Sequence, residues 1–430
     1  MTENRSSGGK RARLSRRVAA LAVIVAASAA GVGALAAGTH GATAKKAAAP
    51  TLQLWHWQQQ ATGYPDVFQA SIDRYKTKYG GDVQMTSIDF PSYFAKFKTA
   101  VAGGDTPDLM EMSWTGDYRD LIKAGALMPL DSALGSGFPT FYKPVMDSLR
   151  FNGHIYGIPI DLNTLTIAYN KAIFAKLHLK VPKTFAQLKA MAQPIRKGGY
   201  QPLTVNEKDA WPGGDLWFAQ VAYTDKSENA IRQAELGKVK WTDPRFLAAA
   251  NNVQSLKTSG LLADGSNSTD FVGNVAAFGR GQIAMAYPVG NFNTGLIDKA
   301  VGKRFSYDLF PFPPLTAAGK SVATGGPAII LSVPAKAKNP TEAINLIRLM
   351  TDPTGQKELV KRNFIPSAPA NISSNPSKIY RKMVSFQATA QTRAIFVPTV
   401  YTALLNGVQG MLAGSKTPLK VVQSMQAAAK

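Results

Sequence analysis

The sequence predicts an α/β protein that is built as two domains, and three observations lead to this fold class. The chain has 430 residues, 45% of them hydrophobic, and this length exceeds what one hydrophobic core normally serves. Residues 52–112 alternate between short apolar strands and amphipathic helices, which is typical of a parallel sheet with right-handed crossovers. Further strand and helix signals continue towards the C-terminus without an internal repeat.

The first region is predicted to contain three strands separated by two helices. The strands are Leu52–Trp57, Val83–Ile88 and Leu109–Met112. Apolar residues recur at helical spacing from Phe68 to Tyr79, where Gly80-Gly81 ends the helix, and again from Tyr93 to Val101. Ligands on parallel sheets bind at the carboxyl ends of the strands. The candidate segments are therefore Trp55–Gln60, Ser87–Phe90 and Glu111–Asp117.

Later elements are marked by proline, capping residues and apolar runs. Ile158–Asp161 is predicted to be extended because a residue that precedes proline avoids the helical region. Asp243-Pro244 indicates a helix start, and Asn339 with Glu342 is close to a capping box at another. Two more strands are predicted at Ile283–Tyr287 and Ala328–Val333.

The N-terminal segment has the layout of a secretory signal. A basic stretch from Lys10 to Arg17 precedes residues 18–37, which are only apolar or small, and Ala-x-Ala sites follow at Ala34–Ala36 and Ala42–Ala44. We therefore expect residues 1–44 to be a signal peptide. An uncleaved membrane anchor is the alternative, since twenty residues can span a bilayer. Arg16-Arg17 is compatible with twin-arginine export or with the general secretory route.

The composition excludes some functions and leaves the basic charge unexplained. The sequence has no cysteine, so we expect no disulfide, no thiol catalysis and no thioether-linked lipid anchor. The formal net charge is +22, and without the signal 43 Lys and Arg remain against 26 Asp and Glu, a net charge of +17. Lysines such as Lys171, Lys176, Lys180, Lys183 and Lys189 are scattered along helices. This pattern favours a solvated basic surface over nucleic-acid binding.

Five segments in register resemble the family 1 extracellular solute-binding proteins of ABC sugar importers, which include the maltose-type and glycerol-phosphate-type receptors. They are Phe97–Asp131 (FKTAVAGGDTPDLMEMSWTGDYRDLIKAGALMPLD), Gly153–Lys171 (GHIYGIPIDLNTLTIAYNK), Ala276–Phe292 (AAFGRGQIAMAYPVGNF), Thr324–Leu349 (TGGPAIILSVPAKAKNPTEAINLIRL) and Gly410–Met425 (GMLAGSKTPLKVVQSM). The resemblance extends from about Leu52 to the C-terminus. Relatives in Gram-positive bacteria usually carry a lipid-bearing cysteine after the signal, and this sequence departs from them there.

This resemblance implies a two-lobed, type II periplasmic-binding-protein-like fold whose ligand cleft lies between lobes joined by a three-segment hinge. The crossings are expected near Ile160–Asn163, Tyr287–Gly290 and Ala328–Leu331. The N-terminal lobe would then comprise residues 51–160 and 288–329. The C-terminal lobe would comprise residues 161–287 and 330–430. Ligand binding would close the cleft.

The resemblance also implies that the ligand is a carbohydrate, which the composition of the candidate site supports. A sugar needs an aromatic ring to stack on and carboxylate or amide groups to hydrogen-bond its hydroxyls. The candidate ligand-binding residues are Trp57, Gln58, Gln59, Glu111, Trp114, Asp161, Trp211, Trp217, Asn291, Phe292, Gly325 and Gly326. The two glycines would let backbone N–H groups approach the ligand. Phe364 and Tyr401 are weaker candidates.

Each candidate also has a purely structural interpretation. Trp57 could pack in the core, Trp114 could lie on the surface or contact the other lobe, and Asp161 could only cap the hinge. Of Trp211 and Trp217, which flank Pro-Gly-Gly, we expect at least one to stack on ligand and the other to pack in the core. The two glycines could form only a tight turn. Many relatives have Trp at the position of Phe292.

Three other functions are weighed against sugar capture. A glycoside hydrolase would need two carboxylates across the cleft, for which Glu111 and Asp161 are the candidates. A receptor for a glycerol-phosphate ester or acidic sugar would need cations, of which Arg119 and Arg362 are the nearest in sequence. A nucleic-acid or polymer binder would use the basic surface. The four histidines have no metal-ligand spacing, and no nucleophile elbow or phosphate loop is present.

We therefore expect no catalytic residue, no metal and no cofactor. The expected partners are the carbohydrate and the ABC permease subunits in the membrane, without nucleic acid, and the expected state is a monomer. The protein is expected to be exported and to be periplasmic, released or held at the cell surface by its N-terminal segment.

Overall fold

The structure is a computed structural model that describes residues 49–58, 63–113, 116–135, 137–225, 230–387, 390–392 and 397–429. The expected signal peptide, residues 1–44, lies outside the described residues. Residues 47–430 form one compact unit. Among the helices that the structure describes, none has both the length and the apolar character needed to cross a bilayer.

The chain alternates strands and helices over residues 52–112 as predicted, and two helices followed by three short strands lead on to residue 160. The elements up to that residue are β1 (Thr51–His56), α1 (Tyr64–Tyr79), β2 (Asp82–Ser87), α2 (Phe90–Gly103), β3 (Leu109–Met112), α3 (Gly116–Lys123), α4 (Lys143–Ser148), β4 (Arg150–Phe151), β5 (His154–Ile155) and β6 (Ile158–Pro159).

The following 150 residues begin with the longest strand. The elements are β7 (Asp161–Asn170), α5 (Lys171–Lys176), α6 (Phe185–Ala190), α7 (Ala192–Lys197), β8 (Gln201–Val205), α8 (Trp211–Thr224), α9 (Ala230–Glu235), α10 (Pro244–Thr258), α11 (Phe271–Gly279), β9 (Ile283–Val289), α12 (Asn291–Val301) and β10 (Tyr307–Phe310). Short 3₁₀ turns lie at Glu207–Asp209 and Ser266–Ser268.

The C-terminal part returns to both sheets and ends in helices. Its elements are β11 (Thr324–Pro327), β12 (Ile330–Ser332), α13 (Pro340–Thr351), α14 (Pro353–Lys361), β13 (Ile365–Pro366), α15 (Lys378–Gln387), β14 (Gln391–Thr392), α16 (Pro398–Ala413) and α17 (Pro418–Ala428). A 3₁₀ turn lies at Ile372–Ser374.

The first sheet has five strands in the order β2-β1-β3-β12-β6. Strand β1 pairs in parallel with β2 and β3, so that Leu54 lies opposite Met85 and Leu109. These pairings confirm the predicted parallel sheet. Strand β12 is antiparallel and inserts between β3 and β6, where Leu331 lies opposite Glu111 and Ile158.

The second sheet is built around β7. Its order is β14-β11-β7-β9-β8, and β10 and β13 also pair with β7. Strands β8 and β9 are parallel, whereas β9, β10, β11 and β13 run antiparallel to β7. All but one residue of β7 is buried, so both of its faces lie within the protein.

Separate hydrophobic cores cover the two sheets and define two lobes. The core on the five-stranded sheet contains Phe68, Phe97 and Leu346. The seven-stranded sheet has one core around Trp217 and Phe246 and a smaller one that contains Phe278 and Tyr380. We call residues 51–160 and 329–364 the first lobe, and residues 161–328 and 365–430 the second lobe. The structure thus has the two-lobed α/β architecture that the sequence predicts.

The predicted lobe limits are wrong for two segments. Residues 288–329 were assigned to the N-terminal lobe, but β10 and β11 pair with β7 in the second sheet. Residues from 330 were assigned to the C-terminal lobe, but β12 pairs with β3 and the buried residues of α13 belong to the first core. The expected crossing at Tyr287–Gly290 therefore stays within the second lobe. The third change of lobe occurs instead between α14 and β13, near residue 364.

Local chemistry explains several element boundaries and corrects one. Gly80 ends α1 in the left-handed conformation, at φ 75°, and its N–H donates to the Lys76 carbonyl. Asp243 caps α10 as predicted, because its side chain accepts from the N–H of Arg245. The predicted capping box at Asn339 is wrong. The side-chain amide of Asn339 instead donates to Asp108 at 3.1 Å, and it makes no capping bond.

Candidate functional site

Asp161 begins β7 at the first change of lobe, and its carboxylate joins three separate chain segments. Oδ2 accepts from the hydroxyl of Tyr64 on α1 at 2.8 Å and from the amide of Asn291 on α12 at 3.0 Å. Oδ1 accepts from the N–H of Ile329 at 3.0 Å, where the chain returns to the first lobe. Both lobes and two crossings therefore meet at this carboxylate. We refer to this place as the junction.

The environment of Asp161 favours the hinge interpretation. Its exposed fraction is 0%, and burial raises the pKa of its carboxyl to about 7 despite the hydrogen bonds from Ile329, Tyr64 and Asn291. Those three donors occupy most of the carboxylate's accepting capacity. A direct contact between Asp161 and ligand stays a prediction. The structure adds a partner that the sequence reasoning missed, because the ring of Tyr64 also stacks on Phe364 at 4.1 Å.

Glu111 is the last-but-one residue of β3 and is also buried. Its Oε2 accepts from the backbone N–H of Trp57 at 3.2 Å, and its Oε1 accepts from the side-chain amide of Gln58 at 2.5 Å. Burial raises the pKa of Glu111 to about 8, the two donors oppose this rise, and the charge of Asp161 adds to it. Glu111 thus holds a proton more tightly than an exposed glutamate does, and its two accepted hydrogen bonds link the ends of two neighbouring strands.

Trp57 belongs to a group of aromatic rings on the first lobe, which we call the Trp57 group: Trp57, Phe90, Tyr93 and Phe94. Trp57 meets Phe90 edge-on at 5.3 Å and Tyr93 at 4.9 Å. Its side chain is partly buried, whereas Phe90 is 42% exposed. Trp57 is thus anchored by its neighbours and keeps some exposed surface.

Gln58 places its side chain on Glu111, while its backbone N–H donates to Nδ1 of His56 at 3.2 Å. Burial lowers the pKa of His56, so its imidazole is neutral and can accept this bond. Two of the predicted site residues, Gln59 and Trp114, lie outside the described residues.

A second aromatic group, the Trp211 group, consists of Trp211, Phe271 and Phe292 of the second lobe. The rings of Trp211 and Phe292 lie 6.2 Å apart, and those of Phe271 and Phe292 lie 5.7 Å apart. Phe292 packs against the cores of both lobes and therefore lies where the lobes meet. The structure thus brings Trp211, Asn291 and Phe292 to the junction.

Trp217 is not available to a ligand, so its place among the predicted site residues is wrong. Its exposed fraction is 0%, its indole N–H donates to the Phe246 carbonyl at 3.2 Å, and the two rings lie 5.5 Å apart. Trp217 follows Trp211 by six positions on α8, so the two side chains lie on different parts of the helix surface. Trp211 is only partly buried, which agrees with the expectation that one of the pair packs in the core.

Two buried amides at the junction have acceptors without a donor in the described part of the chain. They are Oδ1 of Asn291 and Oδ1 of Asn163. The exposed fractions of these residues are 2% and 7%. A Cβ at Gly290 would lie 2.5 Å from Oδ1 of Asn163, so any larger residue would require this amide to move. The sequence reasoning missed Asn163, although it follows Asp161 by two residues in an extended segment and so shares its face.

Gly325 and Gly326 lie within β11 and are buried. They pair with Thr164 and Asn163 of β7, and a Cβ on Gly325 would lie 2.6 Å from the Asn163 carbonyl oxygen. Gly326 has φ 136°, which residues with a Cβ rarely adopt. The close approach that these glycines permit is an approach between strands and not a turn. Contact of their N–H groups with a ligand stays a prediction.

An ion pair that the sequence reasoning did not anticipate connects the two lobes. Nη1 of Arg119 on α3 lies 3.4 Å from Oε1 of Glu235 on α9, and the side chains are 13% and 2% exposed. Burial raises the pKa of Glu235 to about 7, although Arg119, Arg232 and Lys123 oppose this rise. No sequence pattern links residues so far apart.

The weaker candidates have structural roles in the described residues. Phe364 is buried against Tyr64, and Tyr401 on α16 packs against the core of the second lobe.

Glu207 lies beside the start of α8 against Gly213, and burial raises its pKa to about 9. No group of three or more His, Asp or Glu side chains in the described residues is arranged to hold a metal. Two surface grooves, beside Arg74 and beside Lys180, lie away from the junction residues.

Comparison with known proteins identifies the family of this chain. Residues 61–357 match the family described as bacterial extracellular solute-binding protein. The multiple sugar-binding protein of Streptococcus mutans is 24% identical over 279 residues, which are 63% of this chain and 64% of that protein. Three other curated relatives are matched over 45%, 56% and 38% of their lengths, so the chain spans less than two thirds of each of these four relatives.

Solved structures share the fold at low sequence identity. A structure from work on xylan utilization by the thermophilic bacterium Caldanaerobius polysaccharolyticus has a TM-score of 0.78 and 22% identity, covering 88% of this chain and 99% of that chain. A chitin oligosaccharide binding protein has a TM-score of 0.77 and 21% identity, covering 88% and 98%. The match over more than half of the chain, together with the two sheets and their shared junction, shows that this protein belongs to the bacterial extracellular solute-binding protein family.

Proposed function

We propose that the protein binds a neutral carbohydrate between its two lobes and delivers it to the permease subunits of an ABC importer in the membrane. The observation that carries this proposal is the set of buried carboxyl and amide groups at the junction. The Trp57 group on the first lobe and the Trp211 group on the second lobe accompany it.

The chemistry of these groups suits a sugar. Glu111 in its protonated form can donate as well as accept, and the amide oxygens of Asn163 and Asn291 are acceptors that a hydroxyl group would satisfy. An aromatic ring stacks on the apolar face of a pyranose and contributes about 0.5–1.5 kcal/mol beyond the buried area. The names of the relatives and structural neighbours, which refer to sugars and oligosaccharides, support the same ligand class.

The positions of the cations argue against the anionic-ligand alternative. Arg119 pairs with Glu235, and Arg362 pairs with Glu358. The junction groups named above are carboxyl and amide side chains, which would repel an anion or bind it only weakly. A neutral ligand is therefore the better match to these side chains.

We further propose that the protein is a receptor and not a hydrolase. Hydrolysis needs one carboxyl to protonate the leaving group and another to act as nucleophile or base. Asp161 instead holds three donors from its own chain, and Glu111 holds two. Export to the periplasm or cell surface agrees with the extracellular family.

Contacts between the lobes support binding by closure. Phe292 packs against both cores, and the Arg119–Glu235 pair connects α3 to α9. A ligand that contacts both aromatic groups would add to these contacts only when the lobes are together. Such a ligand would shift the population towards the closed state.

A thermal-shift screen of neutral mono- and oligosaccharides, with sugar acids and glycerol-phosphate esters alongside, tests the proposal. A ligand at a hundredfold excess over its Kd stabilises the folded state by about 2.7 kcal/mol, so a hit raises Tm visibly. We expect a neutral sugar to raise Tm and to be recovered unchanged. Stabilisation only by anionic compounds, or release of sugar products, would contradict the proposal.

A pair of aromatic variants then locates the site. Trp211→Ala is expected to weaken binding of the identified sugar about tenfold or more, because it removes a stacking surface. Tyr200→Ala is the matched control, since Tyr200 is also partly buried but lies before β8, at the end of the strand remote from the α8 start. Isothermal titration measures both Kd values. Equal losses of affinity in the two variants would show that the Trp211 group is not part of the binding site.

A further inference from the structure

The excess of basic over acidic residues lies almost entirely in one lobe. The first lobe contains 15 Lys and Arg against 14 Asp and Glu, a net charge of +1, whereas the second contains 26 against 12, a net charge of +14. Within the second lobe, residues 162–206 contain seven Lys and Arg and no acidic residue. A uniformly solvated basic surface would not produce this separation, so the position of these cations calls for its own explanation.

Residues 365–430 are a second acid-free stretch of the same lobe, also with seven Lys and Arg. Residues 162–206 include α5, α6 and α7, which lie between the end of β7 and the start of β8. Lys171, Lys176, Lys180, Lys183 and Lys197 are exposed. Within the described part of the chain none of these five lysines forms an ion pair, whereas Arg196 pairs with Asp264. We call these five lysines the basic face. Its net field is therefore barely reduced by neighbouring carboxylates.

An apolar groove lies among these lysines. Its volume is about 460 Å³, and its lining combines Leu179, Val181, Pro182 and Met191 with Lys180 and Lys183. Val181 is 39% exposed and stands between two cations in sequence. Lys197 follows Pro194, another lining residue, by three positions and so shares its face of α7.

Cations around an exposed aliphatic residue match the surface of an anionic bilayer. Lysine side chains place their ammonium groups at lipid phosphates while apolar side chains enter the region below the headgroups. Each Lys near such a surface contributes about 1 kcal/mol, which is roughly a fivefold change in affinity. A soluble polyanion would use the charges but would gain little from Val181.

The basic face is remote from the junction. Strand β7 begins at Asp161 and ends at Asn170, and ten extended residues span about 30 Å. Strand β7 therefore separates α5 from the buried carboxyl and amide groups by its whole length. Contacts at one end need not disturb the other.

We propose that the basic face, together with Val181, docks the second lobe on a membrane surface rich in anionic phospholipid. Docking would hold the protein beside a bilayer without any covalent lipid. The interaction is electrostatic and reversible, and a single aliphatic residue supplements it.

Vesicle co-sedimentation of residues 47–430 tests the proposal. This compact unit carries both sheets with their cores, and it lacks the basic and apolar N-terminal segment that would bind lipid by itself. The vesicles contain phosphatidylcholine alone or mixed with phosphatidylglycerol. We expect binding only to the mixed vesicles, with at least a tenfold loss between about 20 mM and about 500 mM salt. Absence of binding to the mixed vesicles at low salt would overturn the proposal.

Two triple variants that lose the same amount of charge distinguish an effect of the basic face from an effect of the net charge of the protein. Lys180→Gln with Lys183→Gln and Lys197→Gln is expected to weaken binding about 100-fold. Lys96→Gln with Lys336→Gln and Lys357→Gln removes three exposed lysines of the first lobe, which form no ion pair with described residues, and should change binding less than twofold. Equal losses would show that net charge alone acts and would refute the basic face. Thermal melting of each variant checks that it is folded.

A variant and a competitor distinguish a bilayer from a soluble polyanion. Val181→Ser should weaken vesicle binding about fivefold without changing its salt dependence, since it removes only an apolar contact. Inorganic polyphosphate is the competing ligand. Binding to polyphosphate that exceeds binding to the mixed vesicles, with no effect of Val181→Ser, would identify a polymer site and overturn the membrane proposal.

Discussion

The two lobes share one construction but differ in charge. Each buries large aromatic and aliphatic side chains against a sheet, around Phe68 and Phe97 in the first lobe and around Trp217 and Phe246 in the second. Their net charges are nevertheless +1 and +14. The fold of each lobe therefore depends on its buried surface, while its net charge follows a separate requirement outside the core.

At the junction the two lobes supply different kinds of side-chain groups. The first lobe supplies the carboxyl of Glu111 and the hydroxyl of Tyr64, and the second lobe supplies Asp161 with the amides of Asn163 and Asn291. None of these five groups is basic, although the second lobe carries the excess of cations. The basic character of the second lobe is therefore not part of the candidate sugar site.

The largest expected effect on stability distinguishes a tryptophan in the core of the second lobe from a tryptophan at the junction. Trp217→Ala should lower the free energy of unfolding by about 4 kcal/mol, because it leaves a cavity in the core and removes a hydrogen bond. Trp211→Ala should cost less than about 1 kcal/mol, because Trp211 is only partly buried. Urea unfolding followed by circular dichroism measures both. Equal costs would place Trp211 in the core and weaken the distinction.

The next effect tests the connection between the lobes. Asp161→Ala should cost about 3 kcal/mol, because it strands the donors of Tyr64, Asn291 and Ile329 in a buried site. Asp161→Asn keeps an acceptor and should cost about 1 kcal/mol. The same unfolding experiment compares them. If Asp161→Ala were as mild as Asp161→Asn, the three hydrogen bonds would not be what joins the lobes.

The pH dependence of stability sharpens the role of the buried acids. Burial raises the pKa of Glu111 to about 8 and that of Asp161 to about 7, so the folded protein binds protons more tightly than the unfolded chain. The contribution of these two groups to stability is therefore greatest at low pH. It falls as the pH rises from about 4 to about 7 for Asp161 and from about 4.5 to about 8 for Glu111, by at most about 1.4 kcal/mol per unit for each group.

Glu111→Gln is the matched variant for this measurement. It should remove about 3 kcal/mol of the loss of stability between pH 5 and pH 7.5. The free energy of unfolding is measured across that range in wild type and variant. A slope that the substitution leaves unchanged would mean that Glu111 ionises normally in the folded state.

The smallest expected effect concerns the ion pair between the lobes. Arg119→Met should weaken sugar binding roughly fivefold, since it removes about 1 kcal/mol from the closed state. Arg232→Met is the control, because Arg232 also lies near Glu235 but on the same helix, and its side chain is 60% exposed. The Kd of both variants is measured by titration. An equal change in both would attribute the effect to the charge near Glu235 and not to a link between lobes.

The elements of the first lobe could be predicted because their signals are local. The apolar alternation of β1, the helical spacing from Phe68 to Tyr79 and the glycine that follows each lie within a few residues. The lobe limits could not be predicted correctly in this way. Strands β10 and β11 join β7 through pairings between residues about 140 to 160 positions apart, and no local pattern encodes such a partner.

The candidate site was also predictable only where a residue is marked by its local sequence. Glu111 and Asn291 were chosen because each follows or ends a strand, and Asp161 was chosen because the resemblance places a crossing there. The structure brings the three side chains close to the junction, and their contact with a ligand stays a prediction. Trp211 and Trp217 could not be distinguished by type, since only packing against Phe246 decides which one is buried. The roles of Tyr64 and of the Arg119–Glu235 pair were not predicted, because each depends on a partner that is distant in sequence.

The insertion of β12 between β3 and β6 has a consequence for synthesis of the chain. Residues 330–332 supply a strand inside the first sheet, so this sheet cannot be completed until the 168 residues from 161 to 328 have been made. Until then β3 presents an unpaired edge that invites association with other chains. A polypeptide ending after β6 would keep that edge permanently. The two lobes therefore have separate cores but depend on each other during biogenesis, and truncation at the lobe boundary should yield an aggregating fragment.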